Sequence, residues 1–223
     1  MSLEDAYLDL KYLLNRGYRK SYALRVVSDH YRLTVEERHL LARCVFPDAW
    51  IAEVREKLLK ASELSGRSLA IDGFNVLITL ESLVDGKAIL CEDGLVRDLK
   101  HQGKYRVSDR TESLIKEAVK ALAGLGVSNL SIFYGRAIPK SGIVRKLTEE
   151  ALGEFNLSGE VKLVKSPDFK LKGYEIAATA DVGIISKVLH VFDVPRLMGD
   201  RWNLEIPTFK NVMQSFIKMH HNT

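Results

Sequence analysis

The chain has 223 residues, 46% of them hydrophobic and 28% charged, a balance that excludes a disordered or fibrous protein and suffices for one large domain or two smaller ones. Its net charge of +4 is too small to define a partner by itself, and no apolar run approaches the roughly 18 residues that a membrane helix needs. The N-terminus, "MSLEDAYLDLKYLL", carries acids where a secretory signal carries bases, so a cytoplasmic protein with no membrane partner is expected. Cys44 and Cys91 lack any C-x-x-C spacing and are expected as buried small hydrophobes, without a disulfide or a zinc site.

Helical periodicity comes first along the chain. "LEDAYLDLKYLLNRG" sets Leu3, Tyr7, Leu10 and Leu14 on one face and stops at Gly17, a residue suited to a helix C-terminus. "SYALRVVSDHYRL" reads as a helix capped by Ser21. "TVEERHLLARCVFP" opens on the capping-box pair Thr34 and Glu37 and ends before Pro47. A fourth helix is predicted from Asp48 to Leu64, where "SGRS" breaks it. Residues 1–66 therefore read as a small all-α domain of helix-turn-helix character, suited to binding nucleic acid or a partner.

From Ser68 apolar strands alternate with helices. "SLAID" is a buried strand, and "KAILCEDGLVRDL" a hairpin turning at Asp93 and Gly94. "DRTESLIKEAVKALAGLG" is a helix capped by Asp109 with Glu112. Strand "NLSIFYG", helix "SGIVRKLTEEALGEF" and strand "EVKLVKS" follow. "EIAATAD", "VGIISKV" and "LHVFDVP" come next as strand, short helix and strand, and "PTFKNVMQSFIKM" is a last helix begun by Pro207 and Thr208. The predicted class is α/β for residues 67–223: a Rossmann-like, mostly parallel sheet with helices on both faces, preceded by the all-α domain.

Positive charge is unevenly spread. Between Leu10 and Arg43 there are eight bases against three acids, and Arg16, Arg19, Lys20 and Arg25 from this stretch are candidates for nucleic-acid binding. Arg136, Lys140, Arg145 and Lys146 form a second basic group. Each base set against a phosphate releases condensed counterions, so a polyanion, RNA or DNA, is the expected partner, with a homo-oligomer left open.

In an open parallel sheet, ligands bind beyond the carboxyl ends of the strands, which makes strand-terminal acids informative. Asp72 ends the first strand, Asp181 ends "EIAATAD", and Asp193 lies near the end of the last strand. If the first strand is central, Asp72 and Asp181 converge on one cleft, and repelling carboxylates there are usually reconciled by a shared Mg²⁺ or Mn²⁺, an ion that can also activate water. Each acid has a plainer account: Asp72 an Asx-turn, Asp181 a helix cap, Asp93 a hairpin turn, Asp98 a surface ion pair. No phosphate-binding G-x-x-x-x-G-K-[ST], G-x-G-x-x-G, G-x-S-x-G or H-E-x-x-H competes.

"LAIDGFNVLITLES" resembles the opening strand of PIN-like and NYN-like nuclease domains, where an aspartate ends the first strand and an asparagine follows. "AATADVGII" is similar to their later Thr-x-Asp element. Together with "LLNRGYRKSYALRVVSDHYRLTVEERHLLAR" ahead and "EDGLVRDLKHQGKYRVS" between, nearly the whole chain resembles an uncharacterised, mainly archaeal family that joins a small helical domain to a PIN-like one. The resemblance implies a Mg²⁺- or Mn²⁺-dependent ribonuclease with Asp72 and Asp181 as catalytic metal ligands. Asn75, Thr179 and Ser141 would orient the phosphate or the ligands. It also implies a further acid. "IFYGRAIPKSG" offers Gly135 where a strand-terminal carboxylate belongs, which leaves Asp93, Asp98, Glu112 or Glu175 to complete the set. Glu175 has a second route, because "KGYEIAATAD" could begin a helix as in NYN domains and carry that residue into the cleft. The alternatives are a degenerate PIN-like module that binds RNA or protein without cutting, and a DNA reader joined to a ligand sensor.

Overall fold

The computed structural model describes residues 3–99 and 105–221, with side chains through residue 218. Four helices open the chain: α1 (Leu3–Asn15), α2 (Lys20–Tyr31), α3 (Val35–Cys44) and α4 (Asp48–Lys57). Strand β1 (Ser68–Asp72) and helix α5 (Gly73–Val84) lead to a hairpin of β2 (Ala88–Leu90) and β3 (Val96–Asp98). Then come α6 (Thr111–Gly124), β4 (Asn129–Gly135), α7 (Ser141–Glu154), β5 (Gly159–Val164) and α8 (Pro167–Leu171). The chain closes with β6 (Ile176–Ala178), α9 (Val182–Ile185), β7 (His190–Val191), α10 (Val194–Arg201) and α11 (Phe209–His221).

Five strands form one sheet in the order β5-β4-β1-β6-β7, every neighbouring pair parallel. Strand β1 is therefore central, with β4 and β6 beside it. Side chains alternate across the sheet as a period of two requires. Leu69, Ile71, Leu130, Ile132, Tyr134, Ile176 and Ala178 pack on the face covered by α5, α6, α7 and α10. Ala70, Phe133 and Ala177 point the other way, against Val54, Leu171, Ile184 and Ile185 from α4, α8 and α9. The expected α/β class with helices on both faces of a parallel sheet is what the chain adopts.

Several local expectations are corrected by hydrogen bonding. The fourth helix stops at Lys57, short of Leu64, because the next residues turn extended and join the sheet edge: Leu58 bridges Val191, and the Leu59 N–H donates to the Val191 carbonyl at 2.9 Å. Helix α2 starts at Lys20 from Arg19, so Ser21 lies inside it and caps nothing. Asp109 does not cap α6; the Thr111 hydroxyl accepts from the Ser108 N–H at 2.9 Å and meets the Tyr105 hydroxyl at 2.8 Å. The capping box of α3 forms as expected, the Thr34 N–H donating to Glu37 Oε2 at 2.8 Å. Helices α8 and α10 had no sequence assignment, although each begins at a polar residue followed within two positions by proline: Ser166 caps one and Asp193 the other.

The helical segment and the α/β segment share a core. Leu10, Leu40 and Leu41 of the first helices pack with Ile89 and Cys91 of the hairpin region and with Phe209 and Met213 of α11. Helix α11, expected as part of the α/β unit, thus closes over the N-terminal helices. Cys44 and Cys91 were expected unpaired; the structure joins them as a disulfide, because the end of α3 and the turn after β2 run side by side, Glu92 N–H donating to the Cys44 carbonyl.

Candidate active site

At the carboxyl end of the central strand, β1 delivers Asp72 and the chain turns at once into α5. The turn needs glycine for a packing reason: a β-carbon on Gly73 would run into the ring of Tyr134. Tyr134 itself is fixed in the core by a 2.9 Å hydroxyl contact with Thr148. The next strand over, β6, is followed by Thr179, Ala180 and Asp181. Two bonds tie this segment to the end of β1 and the start of α5, and a third lies within it. Thr179 Oγ1 donates to Asp72 Oδ2 at 3.3 Å, the Ala180 N–H to Asn75 Oδ1 at 2.9 Å, and the Asp181 N–H to Thr179 Oγ1 at 3.1 Å. The structure thus brings Asp72, Asn75, Thr179 and Asp181 to one place.

Burial raises the Asp72 carboxyl to a pKa of about 7. The Asn75 N–H and the Thr179 hydroxyl act against that shift, while the carboxylates of Asp168 and Asp181 add to it by repulsion. Asp72 is half-buried, whereas Asp168 and Asp181 are exposed. Asp181 also caps α9, accepting from the Ile184 N–H at 3.1 Å. Asn75 spends its carbonyl oxygen on Ala180, so it works as a clip between α5 and the β6 end.

Asp168 had no place in the sequence reading. It comes from "KSPDF", in the first turn of α8 just beyond β5, and a strand end followed by Ser-Pro-Asp was the signal available. Strand β4 ends in Gly135, where a β-carbon would sit 4.0 Å from Pro167 at the start of α8.

Other expected acids are engaged elsewhere. Asp93 is fully buried and grips the Arg97 guanidinium with both oxygens, at 2.6 and 2.7 Å, while the Trp50 indole donates to it at 3.2 Å. Asp98, in β3, takes the Arg43 guanidinium at 3.1 Å. Glu175 precedes β6, in a segment that is strand rather than helix, and pairs with Arg67, which precedes β1. Parallel pairing puts both at the amino ends of their strands, the opposite edge from Asp72. Glu112 pairs with Lys116 on α6. Asp193 is fully buried beside the cleft that Asn75 and Thr179 line. Burial lifts its pKa to about 6 against its bonds from the Val96 and Arg196 N–H groups, at 2.8 and 2.9 Å, so it ties the hairpin and α10 to the sheet.

The bases divide as well. Arg136, Lys140 and Ser141 occupy the connection from β4 into α7, on the same edge of the sheet as Asp72. Ser141 is buried, its hydroxyl 3.5 Å from the Arg136 carbonyl. Arg145 and Lys146 face Glu149 and Glu150 one turn on. Arg16, Arg19 and Arg25 are exposed. Lys20 is half-buried, its ammonium 3.8 Å above the Phe46 ring.

Mg²⁺ and Mn²⁺ favour oxygen ligands, and by donor type the carboxylates of Asp72, Asp168 and Asp181 fit such an ion. Among the described residues no three His, Cys, Asp or Glu side chains converge closely enough to hold one in this arrangement.

The family model described as "Domain of unknown function (DUF5616)" matches residues 61–197, the segment that carries the sheet and the whole Asp72 site. The chain belongs to this family. Ahead of the DUF5616 segment, residues 2–57 match "Protein of unknown function (DUF434)", which covers the four opening helices and leaves α11 outside both. The chain is similar to "Uncharacterized protein MJ0935" of Methanocaldococcus jannaschii, 38% identical over 198 residues, or 87% of this chain and 95% of that protein. An alignment of that length takes in residues of both the DUF434 and the DUF5616 segments of this chain. No solved structure matches the chain.

Proposed function

We propose that the chain is a PIN-like, Mg²⁺- or Mn²⁺-dependent ribonuclease, with Asp72, Asp168 and Asp181 as the residues that hold the ion. The observation that supports this most is the junction of "AIDGFN" and "TAD" at the carboxyl ends of two adjacent parallel strands, fastened by the bonds from Thr179 and Ala180. A carboxyl held near pKa 7 by burial and two neighbouring acids is the electrostatic situation that a cation relieves. When bound, the ion would neutralise phosphate charge and activate water. The chain's own part is to set the donors: Thr179 orients one oxygen of Asp72, and the Asp181 N–H orients Thr179 in turn. Arg136 and Lys140, beyond the end of β4, are the bases suited to the phosphate backbone on that edge.

Purified protein is expected to cleave a labelled single-stranded RNA with Mn²⁺ and to stop in chelator, and Asp72→Asn to lose about 100-fold or more in rate with its fold intact. Undiminished cleavage by Asp72→Asn would end this reading. Since Asp72 must release its proton to bind the ion, the apparent Mn²⁺ affinity should climb by up to about tenfold from about pH 6 to 7 and level off above about pH 8. A second reading, a PIN-like module that binds RNA or protein without cutting, draws on the lack of a converged three-ligand group among the described residues. Calorimetry separates the two, because the binder takes up no Mn²⁺ specifically.

A further inference from the structure

The corner where α1 meets α2 carries an arrangement that the cleft does not use. Tyr12 lies in the last turn of α1, Arg16, Tyr18 and Arg19 in the connection, and Tyr22 and Arg25 in the first two turns of α2. The chain reverses there through Gly17, whose φ of +82° suits glycine, so all six belong to one end of the helical hairpin. Tyr12, Tyr18 and Tyr22 are 58%, 59% and 53% exposed, unusual for large rings that nothing covers. The Arg16 guanidinium lies 5.0 Å from the Tyr12 ring centre, and that of Arg25 5.7 Å from the Tyr22 centre.

An ordinary solvated helix face pairs its bases with acids one turn away, as α7 does with Arg145 and Glu149 and with Lys146 and Glu150. At this corner no acid occurs between Asp9 and Asp29, and the nearby Asp48 is engaged by Lys11 and Asn15. Arg16 and Arg25 lie on tyrosines, which orders both groups before any ligand arrives. Flat rings and guanidinium planes on a predominantly basic surface match one partner chemistry, unpaired bases to stack on and phosphates to neutralise. A duplex, with its bases already stacked, offers the phosphates alone.

We infer that the α1–α2 corner is a docking surface for single-stranded nucleic acid, with Tyr12, Tyr18 and Tyr22 stacking bases and Arg16, Arg19 and Arg25 contacting phosphates. This names the substrate class for the nuclease reading above and rests on it for its purpose. The surface is distinct from the Asp72 site, so the two can fail separately.

The test is fluorescence anisotropy of a labelled single-stranded RNA with full-length protein in chelator, where the probe stays intact. Tyr12→Ala with Tyr22→Ala is expected to weaken binding about tenfold or more, while the Tyr→Phe pair, which keeps the rings, binds as the wild type does. Replacing Arg16 and Arg25 with Gln should lower the slope of log affinity against log salt by about 1.4. Single-stranded DNA of the same sequence should compete, and a duplex of either sugar should compete far less. Unchanged affinity in the alanine pair, equal loss in the Phe pair, or a preference for duplex overturns the inference. If the strand binds through these tyrosines but Mn²⁺ produces no cleavage, the nuclease reading fails and the docking surface stands; cleavage without any effect of the tyrosines gives the reverse.

Discussion

Lys20 shows how a residue's chemistry changes with its surroundings. In the sequence it is one base among many; in the structure its amine lies over the Phe46 ring with the Arg97 guanidinium 4.8 Å from the same ring. Burial, and then repulsion from Arg97, lower its pKa from 10.5 to about 7. The unfolded chain keeps this proton up to about pH 10, whereas the folded chain releases it near 7. Between those values unfolding takes up a proton, so stability should rise with pH from about 7 to about 10. Lys20→Met is expected to stabilise the protein at pH 7 by on the order of 1–2 kcal/mol and to flatten that rise. Thermal melts of both proteins across this pH window check it; parallel curves would show that Lys20 titrates as a surface base. Asp72 shows the same physics with opposite charge, as burial holds the carboxyl neutral up to about pH 7.

The connection from β1 to α5 is decided by one missing atom. Gly73 lets the helix start directly over Tyr134 of β4, and this keeps Asp72 at the mouth of the cleft with Asn75 one turn into α5. Gly73→Ala must displace the Tyr134 ring, which is held at its hydroxyl by Thr148. A loss of about 1–3 kcal/mol is expected from the overpacking, read as a lower denaturation midpoint. Any cleavage activity should fall with it, since Asp72 moves with the start of α5. Asp193 plays a comparable part between elements, joining β3 to α10 through two backbone bonds. The ends of β1 and β4 were legible from apolar runs of five and seven residues, whereas the two later runs read as seven-residue strands hold only Ile176–Ala178 and His190–Val191. Asp168 was not legible, since a five-residue helix is too short to leave a periodic signature.

Across the whole molecule, the two family segments are held as one body by α11 and by the hairpin. Phe209 is buried, its ring 5.4 Å from that of Tyr7 on α1, in the cluster that also contains Leu10, Leu41 and Cys91. Phe209→Ala is expected to cost about 3–5 kcal/mol, although it lies outside both matched segments, and to lower the melting temperature of the entire protein. A melt that splits into two transitions, with one unaffected, would show instead that the helical and α/β parts unfold independently. The Cys44–Cys91 bond lies on the same seam. Sequence spacing could not reveal it, because the two cysteines stand 47 residues apart and become neighbours only when the hairpin folds back on α3.

What the sequence by itself determined are the features with a short range: the helices of the first segment, the alternation that makes a parallel sheet, the capping box at Thr34, and the aspartate that closes β1. These follow from periodicity and from backbone chemistry within a few residues. Tertiary structure alone decided which charges meet. Arg97 claims Asp93, Arg43 claims Asp98, and Arg67 draws Glu175 to the far edge, while Asp168, at the start of α8, comes near enough to Asp72 to repel it. The physical reason is that burial and pairing of an ionisable group depend on contacts between elements distant in the chain, and local pattern carries no record of them.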